Sequence, residues 1–249
     1  MPKSLSFQLY SARNFPPLDD VFALLAGIGY REVEGYGGIY DDPAGLKRLL
    51  DRHGLTMPTG HFGLDMLEGD PDRALAIAAT LGIRRVYAPW LDPADRPVTE
   101  AGYRAFGDRL AAIGRRLRGE GLGFGWHNHD FEFAALPSGA IPQDIILAAD
   151  PLLEWEFDLA WAVRAGADPV AWINRHSGRI TAVHVKDLAP PGANAGEDGW
   201  ADVGHGIIDW PACLAALASS PVAHVIMEHD NPADLRRFAT RSFETVSSL

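Results

Sequence analysis

The sequence predicts a single (β/α)₈ barrel, also called a TIM barrel, that spans residues 1–249 as one domain. Short runs rich in β-branched and aromatic residues alternate with longer segments of helical spacing through eight rounds. A chain of 249 residues with 47% hydrophobic residues can bury the core of one such barrel. No linker or low-complexity tract divides the chain. Together these three observations favour one barrel domain.

Turn and cap residues separate the predicted elements. Several helices begin with an Asp or Thr cap or an early Pro, and four stop at a glycine. The predicted strands cover residues 5–10, 32–36, 56–62, 85–90, 123–128, 153–157, 180–185 and 224–227. The predicted helices include residues 19–28, 43–53, 71–81, 99–120, 168–176 and 233–247. A doubly wound sheet is the alternative, but it usually has fewer strands and gives no reason for polar residues at four consecutive strand ends.

The composition limits the partners of the protein. A formal net charge of −11 argues against nucleic acid, because binding a phosphate backbone requires a basic face. Residues 1–8 lack the apolar core of a signal peptide, and no apolar run approaches the ~18 residues of a membrane span. We therefore expect a cytoplasmic protein that binds neither nucleic acid nor membranes.

The chain contains one cysteine, Cys213. A single cysteine has no partner for an internal disulfide. Because residues 210–217 have the apolar pattern of a buried helix face, we expect Cys213 to be a core residue rather than a nucleophile.

Polar clusters follow the last four predicted strands, within residues 125–133, 156–158, 184–187 and 227–230. The carboxyl ends of barrel strands share one rim, where enzymes of this fold build their sites, so we expect these clusters to converge. Glu132, Asp158, His184 and Glu228 would supply three carboxylates and one imidazole, which suit Mn²⁺, Mg²⁺, Co²⁺ or Zn²⁺. Three neighbouring carboxylates also need a cation, so the sequence predicts one divalent metal ion.

Several stretches carry a family resemblance that covers nearly the whole chain. They are QLYSAR at 8–13, WHNHDFEF at 126–133, FDLAW at 157–161, AGADP at 165–169, HVKD at 184–187, GHGIIDW at 204–210 and EHDNP at 228–232. In these motifs the chain resembles the sugar phosphate isomerase/epimerase family of xylose isomerase-like TIM barrels. The resemblance implies a metal held by Glu132, Asp158, His184 and Glu228, and His127 or His129 competes with Glu132 for the first place.

The chain departs from one branch of this family. Ketose 3-epimerases of the superfamily carry a His three residues after the metal-binding Asp and an Arg six residues after the metal-binding His. Here Trp161 and Pro190 occupy those positions. The departure argues against a free-ketose 3-epimerase and leaves the substrate open.

The predicted site suits proton transfer next to a carbonyl. A metal that binds a substrate carbonyl stabilises the enediolate left when a neighbouring C–H proton leaves. In the family pattern Glu132 and Glu228 face opposite sides of the substrate and exchange this proton, and His129 is the alternative base. Lys186 is expected either to stabilise the developing oxyanion or only to pair with Asp187.

Other residues near the predicted rim are candidates for substrate binding. His61, His127 and Glu34 offer polar groups for hydroxyls, with a structural role as the alternative for His61 and Glu34. Trp161 offers an apolar face to the C–H side of a sugar. The irregular segment 188–205 is a candidate lid or substrate loop, the alternative being a surface insertion.

The sequence therefore favours a metal-dependent isomerase or epimerase that acts on a small carbohydrate. A lyase, dehydratase or deglycosidase acting on a keto-sugar, with His129 as base, is the second enzyme class. A non-catalytic sugar-binding barrel subunit is the alternative outside enzymes. An apurinic endonuclease would need more metal ligands and a basic face than this acidic chain offers. A homo-oligomer is compatible with all of these functions.

Overall fold

The computed structural model describes residues 5–249 and confirms the predicted barrel. Eight parallel strands close in chain order, and the first pairs with both the second and the last. The barrel strands are β1 (Leu5–Gln8), β2 (Glu32–Gly35), β3 (Thr56–His61), β4 (Arg85–Ala88), β5 (Gly123–His127), β6 (Glu154–Asp158), β7 (Ile180–Val185) and β10 (His224–Met227). Two short strands between β7 and β10, β8 (Asp187–Leu188) and β9 (Trp200–Ala201), form a separate antiparallel sheet. Residues 1–4 lie outside the described residues. They are the first half of segment 1–8, for which we expect no signal peptide.

The described residues also form α-helices that surround the barrel. They are α1 (Leu18–Ile28), α2 (Pro43–His53), α3 (Leu64–Gly69), α4 (Pro71–Leu81), α5 (Glu100–Gly119), α6 (Pro142–Ala148), α7 (Leu159–Arg164), α8 (Pro169–His176), α9 (Trp210–Leu217) and α10 (Leu235–Ser248). Several predicted caps are present: Asp42 accepts from the Gly45 N–H at 2.8 Å, and Thr99 accepts from the Gly102 N–H at 3.1 Å. Between residues 5 and 249, no helix is long and apolar enough to cross a bilayer.

The outer layer, between strands and helices, forms the main hydrophobic core. Trp126 of β5 and Trp155 of β6 are fully buried there, and Phe106 of α5 meets Trp126 edge to face. Cys213 of α9 is 1% exposed, as expected for a core residue, and burial raises the pKa of its thiol to about 12.

The barrel interior changes character along its axis. Tyr87, Ala182 and Ile226 form a small apolar cluster inside the barrel. Because alternate residues of a strand face the same side, His184 and Glu228 lie two positions further along, on the same side as Ala182 and Ile226. The carboxyl half of the interior is therefore polar, and it is buried.

Candidate functional site

Four buried side chains bring potential metal donors together at the carboxyl rim. His127, Asp158 and His184 lie on β5, β6 and β7, and Glu228 directly follows β10. One donor atom from each lies within 4.8 Å of the others, and we call these four residues the upper group. Asp158 Oδ1 accepts from the Trp161 N–H at the start of α7, whereas Oδ2 has no hydrogen-bond partner among residues 5–249. A buried carboxylate oxygen without a donor is the kind of atom that a cation would satisfy.

A second set of donors lies deeper in the barrel, and we call it the lower group. It consists of His61, His127, Glu156 and His184. Glu156 stands two residues before Asp158 on β6 and is fully buried. Its Oε2 lies 2.5 Å from His61 Nε2 and 3.1 Å from His127 Nδ1. The two groups therefore share two imidazoles.

Glu34 of β2 extends this deeper network. Its Oε2 lies 2.7 Å from His184 Nε2 and accepts from Gln8 Nε2 at 2.8 Å. Burial raises the pKa of Glu34. For Glu156 burial acts in the same direction, but the neighbouring His184 and His61 outweigh it and hold its pKa well below the usual range. The two carboxyl groups thus differ in how strongly they hold a proton.

The imidazoles of the upper group have opposite electrostatic surroundings. Burial, with the nearby His184, lowers the pKa of His127 to about 3, so its ring is neutral at pH 7. Burial also disfavours a charge on His184, but the carboxylates of Glu156 and Glu228 outweigh it and raise its pKa well above the ordinary value. An ion entering the upper group would compete with a proton for His184.

Lys186 supplies a buried positive charge beside the upper group. Its Nζ lies 2.6 Å from Asp230 Oδ1, 3.3 Å from Glu228 Oε2 and 3.9 Å from Asp158 Oδ2. Burial opposes ionisation of Glu228, but Lys186 and His184 hold its pKa well below the usual range. Burial raises the pKa of Asp158 to about 7 despite the ammonium group. Without an ion, the ammonium of Lys186 and a proton on His184 balance much of the carboxylate charge. A divalent cation could replace that proton, and two carboxylates with two imidazoles are a donor set that fits it.

Lys186 does not pair with Asp187, so that alternative from the sequence is wrong. Successive residues point to opposite sides of the chain, and Asp187 is directed away from the site. Its carboxylate accepts from the backbone N–H groups of Leu188, Gly204, Gly206 and Ile208 and from Trp210 Nε1. Asp187 therefore holds the segment that follows β7.

Glu132 lies in neither the upper nor the lower group of the described residues. β5 ends at His127, and a short helical turn at Phe131–Phe133 directs Glu132 back toward the outer layer. One of its oxygens accepts from Trp126 Nε1 and the other from the His129 N–H, both at 2.9 Å. Burial raises the pKa of this carboxyl to about 8. The sequence leaves Glu132, His127 and His129 as alternatives for the metal ligand at β5. Of these three, His127 is the one that lies beside Asp158, His184 and Glu228.

His129 lies beside the upper group among aromatic rings. Its ring centroid is 4.9 Å from Trp90, 5.1 Å from Trp161 and 5.2 Å from His127. Its Nδ1 is buried and has no hydrogen-bond partner among the described residues. Burial, with the nearby His127 and Lys186, lowers its pKa well below the ordinary value, so the imidazole is neutral at pH 7. A neutral ring with an unpartnered nitrogen can accept a proton or a hydrogen bond.

The irregular segment 188–205 packs against the site. Leu188 at its start pairs with Trp200 in the sheet of β8 and β9, and Trp200 is only 1% exposed. The Trp200 ring lies 4.7 Å from that of Trp161 and 4.1 Å from Lys186 Nζ. The guanidinium carbon of Arg164 lies over the Trp200 ring, 3.6 Å from its centroid. The segment therefore forms part of the site wall.

Two of the predicted substrate-binding residues lie deep in the barrel. The polar contacts of His61 and Glu34 are with protein groups, among them Gln8, Glu156 and His184. Trp161, in contrast, is half-buried beside His129. Glu156 and Gln8 have no role among the site residues that the sequence predicts, although the alternation of β6 puts Glu156 on the same side as Asp158.

Comparisons with known proteins agree with this architecture. MocC, a rhizopine catabolism protein of Rhizobium meliloti, is 27% identical over 241 residues, which cover 82% of this chain and 71% of MocC. The solved structure of a sugar phosphate isomerase/epimerase from Parabacteroides distasonis aligns with a TM-score of 0.84 at 20% identity, covering 100% of this chain and 94% of that chain. The structure of IOLI protein with a bound zinc atom aligns with a TM-score of 0.74 at 15% identity, covering 98% of this chain and 95% of IOLI. At these identities the two structures show a shared fold.

The family assignment comes from a match along most of the chain. The family model described as xylose isomerase-like TIM barrel matches residues 22–243, which include β2 to β10 and all four residues of the upper group. The chain belongs to the xylose isomerase-like TIM barrel family.

Proposed function

We propose that this protein is a divalent-metal-dependent carbohydrate isomerase or epimerase that moves a proton on the carbon next to a carbonyl. The observation that carries the proposal is the upper group, in which two imidazoles and two carboxylates converge with one buried carboxylate oxygen unpartnered. When bound, Mn²⁺, Co²⁺, Zn²⁺ or Mg²⁺ would polarise the carbonyl and stabilise the charge left by proton removal. The shared fold with a sugar phosphate isomerase/epimerase and with a zinc-containing protein supports this reading.

The proposed metal-holding residues are His127, Asp158, His184 and Glu228. This set differs from the family-implied one at a single place, because His127 stands where Glu132 was expected. Both oxygens of Glu132 already accept hydrogen bonds from Trp126 and His129. We therefore assign Glu132 to the support of His129 rather than to the ion.

His129 is the proposed base. Its neutral ring and unpartnered Nδ1 suit it to take a proton from carbon, whose C–H electron pair then forms the C=C bond of an enediolate. In an isomerisation the same imidazolium returns the proton to the former carbonyl carbon, while the hydroxyl proton on the first carbon passes to the former carbonyl oxygen, so that the new carbonyl forms on the first carbon. In an epimerisation a second group must protonate the opposite face, and Glu228 is the candidate for that step.

Two further residues complete the proposed site. Lys186 holds a positive charge between Glu228 and Asp230, from which it can donate a hydrogen bond to a negatively charged substrate oxygen. Trp161, next to His129, offers an apolar face to the C–H groups of a carbohydrate. The Trp161 ring lies 5.1 Å from that of His129, and Lys186 Nζ lies 4.9 Å from the Trp161 ring, so the three residues are neighbours.

The direct test is deuterium exchange into unphosphorylated aldoses, ketoses and keto-sugars in D₂O with Mn²⁺ present. We expect one substrate to take up deuterium at the carbon next to its carbonyl. The variant His129→Gln should lose about 10²–10⁴-fold in exchange rate, whereas His176→Gln, on α8 outside the barrel, should not. A product of changed mass would instead assign an elimination, and tight sugar binding without exchange would assign a binding subunit.

A further inference from the structure

The two imidazoles of the upper group each turn one nitrogen toward a fully buried carboxyl group. His184 Nε2 lies 2.7 Å from Glu34 Oε2, and His127 Nδ1 lies 3.1 Å from Glu156 Oε2. Both glutamates are 0% exposed. The same arrangement is thus built twice, from different strands.

This contact decides which ring nitrogen is available to an ion. A neutral imidazole has one N–H group and one lone pair, and the nitrogen that faces a carboxylate carries the hydrogen. Both nitrogens of His184 face carboxylates, Nε2 toward Glu34 and Nδ1 toward Glu228 Oε2 at 3.0 Å, so without an ion both can carry a hydrogen. An ion shared by Glu228 and His184 would take the lone pair of Nδ1 and leave the hydrogen of His184 on Nε2, toward Glu34. His127 keeps its lone pair on Nε2.

We propose that Glu34 and Glu156 are positioning residues that fix the tautomer and the ring orientation of His184 and His127 for the ion. Carboxyl groups that accept from the outer N–H of a metal-binding His commonly orient the ring and strengthen binding. The inference rests on the proposed function, because it requires an ion in the upper group.

The two carboxyl groups are themselves held in place. His61 Nε2 lies 2.5 Å from Glu156 Oε2 and 3.3 Å from Glu34 Oε2, so one imidazole bridges the pair. Gln8 Nε2 donates to Glu34 at 2.8 Å. These contacts give the positioning residues little freedom to turn away from the rings.

The same deep residues could instead hold the ion themselves in the lower group. A neutral imidazole has a single lone pair, so His127 and His184 can serve the upper or the lower group but not both. Each group has one buried carboxylate oxygen without a hydrogen-bond partner among residues 5–249, Asp158 Oδ2 in the upper group and Glu156 Oε1 in the lower group. The upper group offers two carboxylates and the lower group only one, whose Oε2 already lies within 3.4 Å of three imidazoles. The larger negative charge favours the upper group for a divalent cation.

The test measures Mn²⁺ affinity by electron paramagnetic resonance of the free and bound ion. The variants are Glu34→Gln, Glu34→Asp, Glu156→Gln and Glu156→Asp. Matched controls are Glu32→Gln and Glu154→Gln, which lie two residues earlier on the same strands and contact His224 and Arg85 instead. We expect each of the four variants to bind Mn²⁺ about 10–100-fold more weakly, with a changed bound-ion spectrum, and the controls to match the wild type.

The aspartate variants separate positioning from charge. Aspartate keeps the negative charge, but its side chain is one methylene group shorter, so its carboxylate cannot contact the imidazole in the same position. Wild-type affinity in Glu34→Asp and Glu156→Asp, with weak binding in the Gln variants, would mean that only charge matters and would overturn the inference. Two Mn²⁺ ions in the wild type and one in Glu156→Gln would assign an ion to the lower group and also overturn it. Failure of the wild type to bind Mn²⁺ would overturn the proposed function itself, whereas unchanged affinity in all four variants would overturn only the positioning role.

Discussion

In the proposed metal site, we expect the carboxyl group of Asp158 to make ion binding depend on pH. Its pKa is raised by burial to about 7, so below that pH a proton occupies the carboxyl group that the ion needs. His184, whose pKa is raised by Glu156 and Glu228 against the effect of burial, must also lose its proton. We expect Mn²⁺ affinity to rise with pH by at least about tenfold per pH unit below 7 and to level off above it.

The measurement is a calorimetric Mn²⁺ titration at several values between about pH 5.5 and about pH 8.5. Asp158→Asn should bind far more weakly at every pH, because the amide offers a neutral oxygen in place of a carboxylate. An affinity in the wild type that stays constant across this range would contradict the assignment of Asp158 as a ligand.

Glu132 is a metal ligand in the set that the family resemblance implies, whereas His127 takes its place in the set that we propose. The pKa of Glu132 rises from 4.5 to about 8 on folding, so folding favours the protonated form. That contribution is complete below pH 4.5 and is lost as pH rises toward 8. We expect the apo wild type to lose stability over this range, whereas Glu132→Gln, which resembles the neutral acid, should lose less.

Denaturant unfolding of both apo proteins at about pH 6 and about pH 9 gives the comparison. Mn²⁺ titration of the same variant adds a second readout, and we expect affinity close to that of the wild type. A loss of Mn²⁺ binding in Glu132→Gln would return Glu132 to the ligand set. Parallel pH dependence in the two proteins would contradict the neutral state of its carboxyl group.

At the scale of the element, the segment between β7 and α9 depends on Asp187. Five donors point at this one buried carboxylate, including Gly204, Gly206 and Trp210. Asp187→Ala leaves several of them buried without an acceptor, at about 1–3 kcal/mol for each that stays unsatisfied. We expect a clearly lower free energy of unfolding, and faster hydrogen exchange and proteolysis between residues 188 and 205.

The matched control for that experiment is Asp209→Ala. Asp209 accepts one N–H at the exposed beginning of α9, so its loss should cost only about 1 kcal/mol and leave the segment protected. Equal protection of residues 188–205 in the Asp187 and Asp209 variants would contradict the role of Asp187 as the anchor of this wall.

Most elements were predictable because their signals are local. The helical spacing of apolar residues, the Asp or Thr caps and the terminal glycines predict the ends of α2, α4 and α5 to within about one residue. Each of these signals depends only on residues close in the sequence. β5 ends at His127, one residue before its predicted end at 128. Asn128 leaves the strand because its side-chain oxygen accepts from Trp155 Nε1 and the Asp158 N–H, contacts across the fold that periodicity does not reveal.

For the molecule as a whole, the proposed ion is expected to add to the free energy of unfolding, because its donors lie in the buried polar layer inside the barrel. Ion binding to the folded state alone adds about 2.7 kcal/mol at an ion concentration about 100-fold above the dissociation constant. For a domain of this size each kcal/mol raises the melting temperature by about 2–4 °C. Calorimetry with Mn²⁺ should therefore show a rise of about 5–10 °C. His184→Ala should show none, and an equal rise in that variant would mean that Mn²⁺ binds elsewhere.

The barrel fold alone predicts that the polar side chains at the strand ends lie close together. It does not predict which of these side chains contact one another. Asp158, His184 and Glu228 were expected together because strand ends of a barrel share one rim. The choice of His127 over Glu132 and the deep position of Glu34 depend on strand stagger and on how the chain turns after β5. Those features arise only when all eight strands close into the barrel, so the sequence pattern of a single segment cannot predict them.

The most direct test of the central claim is the metal content of the purified protein, loaded with Mn²⁺ and desalted, by elemental mass spectrometry. We expect about one ion per chain in the wild type and in Glu132→Gln, and almost none in His184→Ala or Asp158→Asn. A wild type without metal, or a His184→Ala protein that retains a full equivalent, would contradict it.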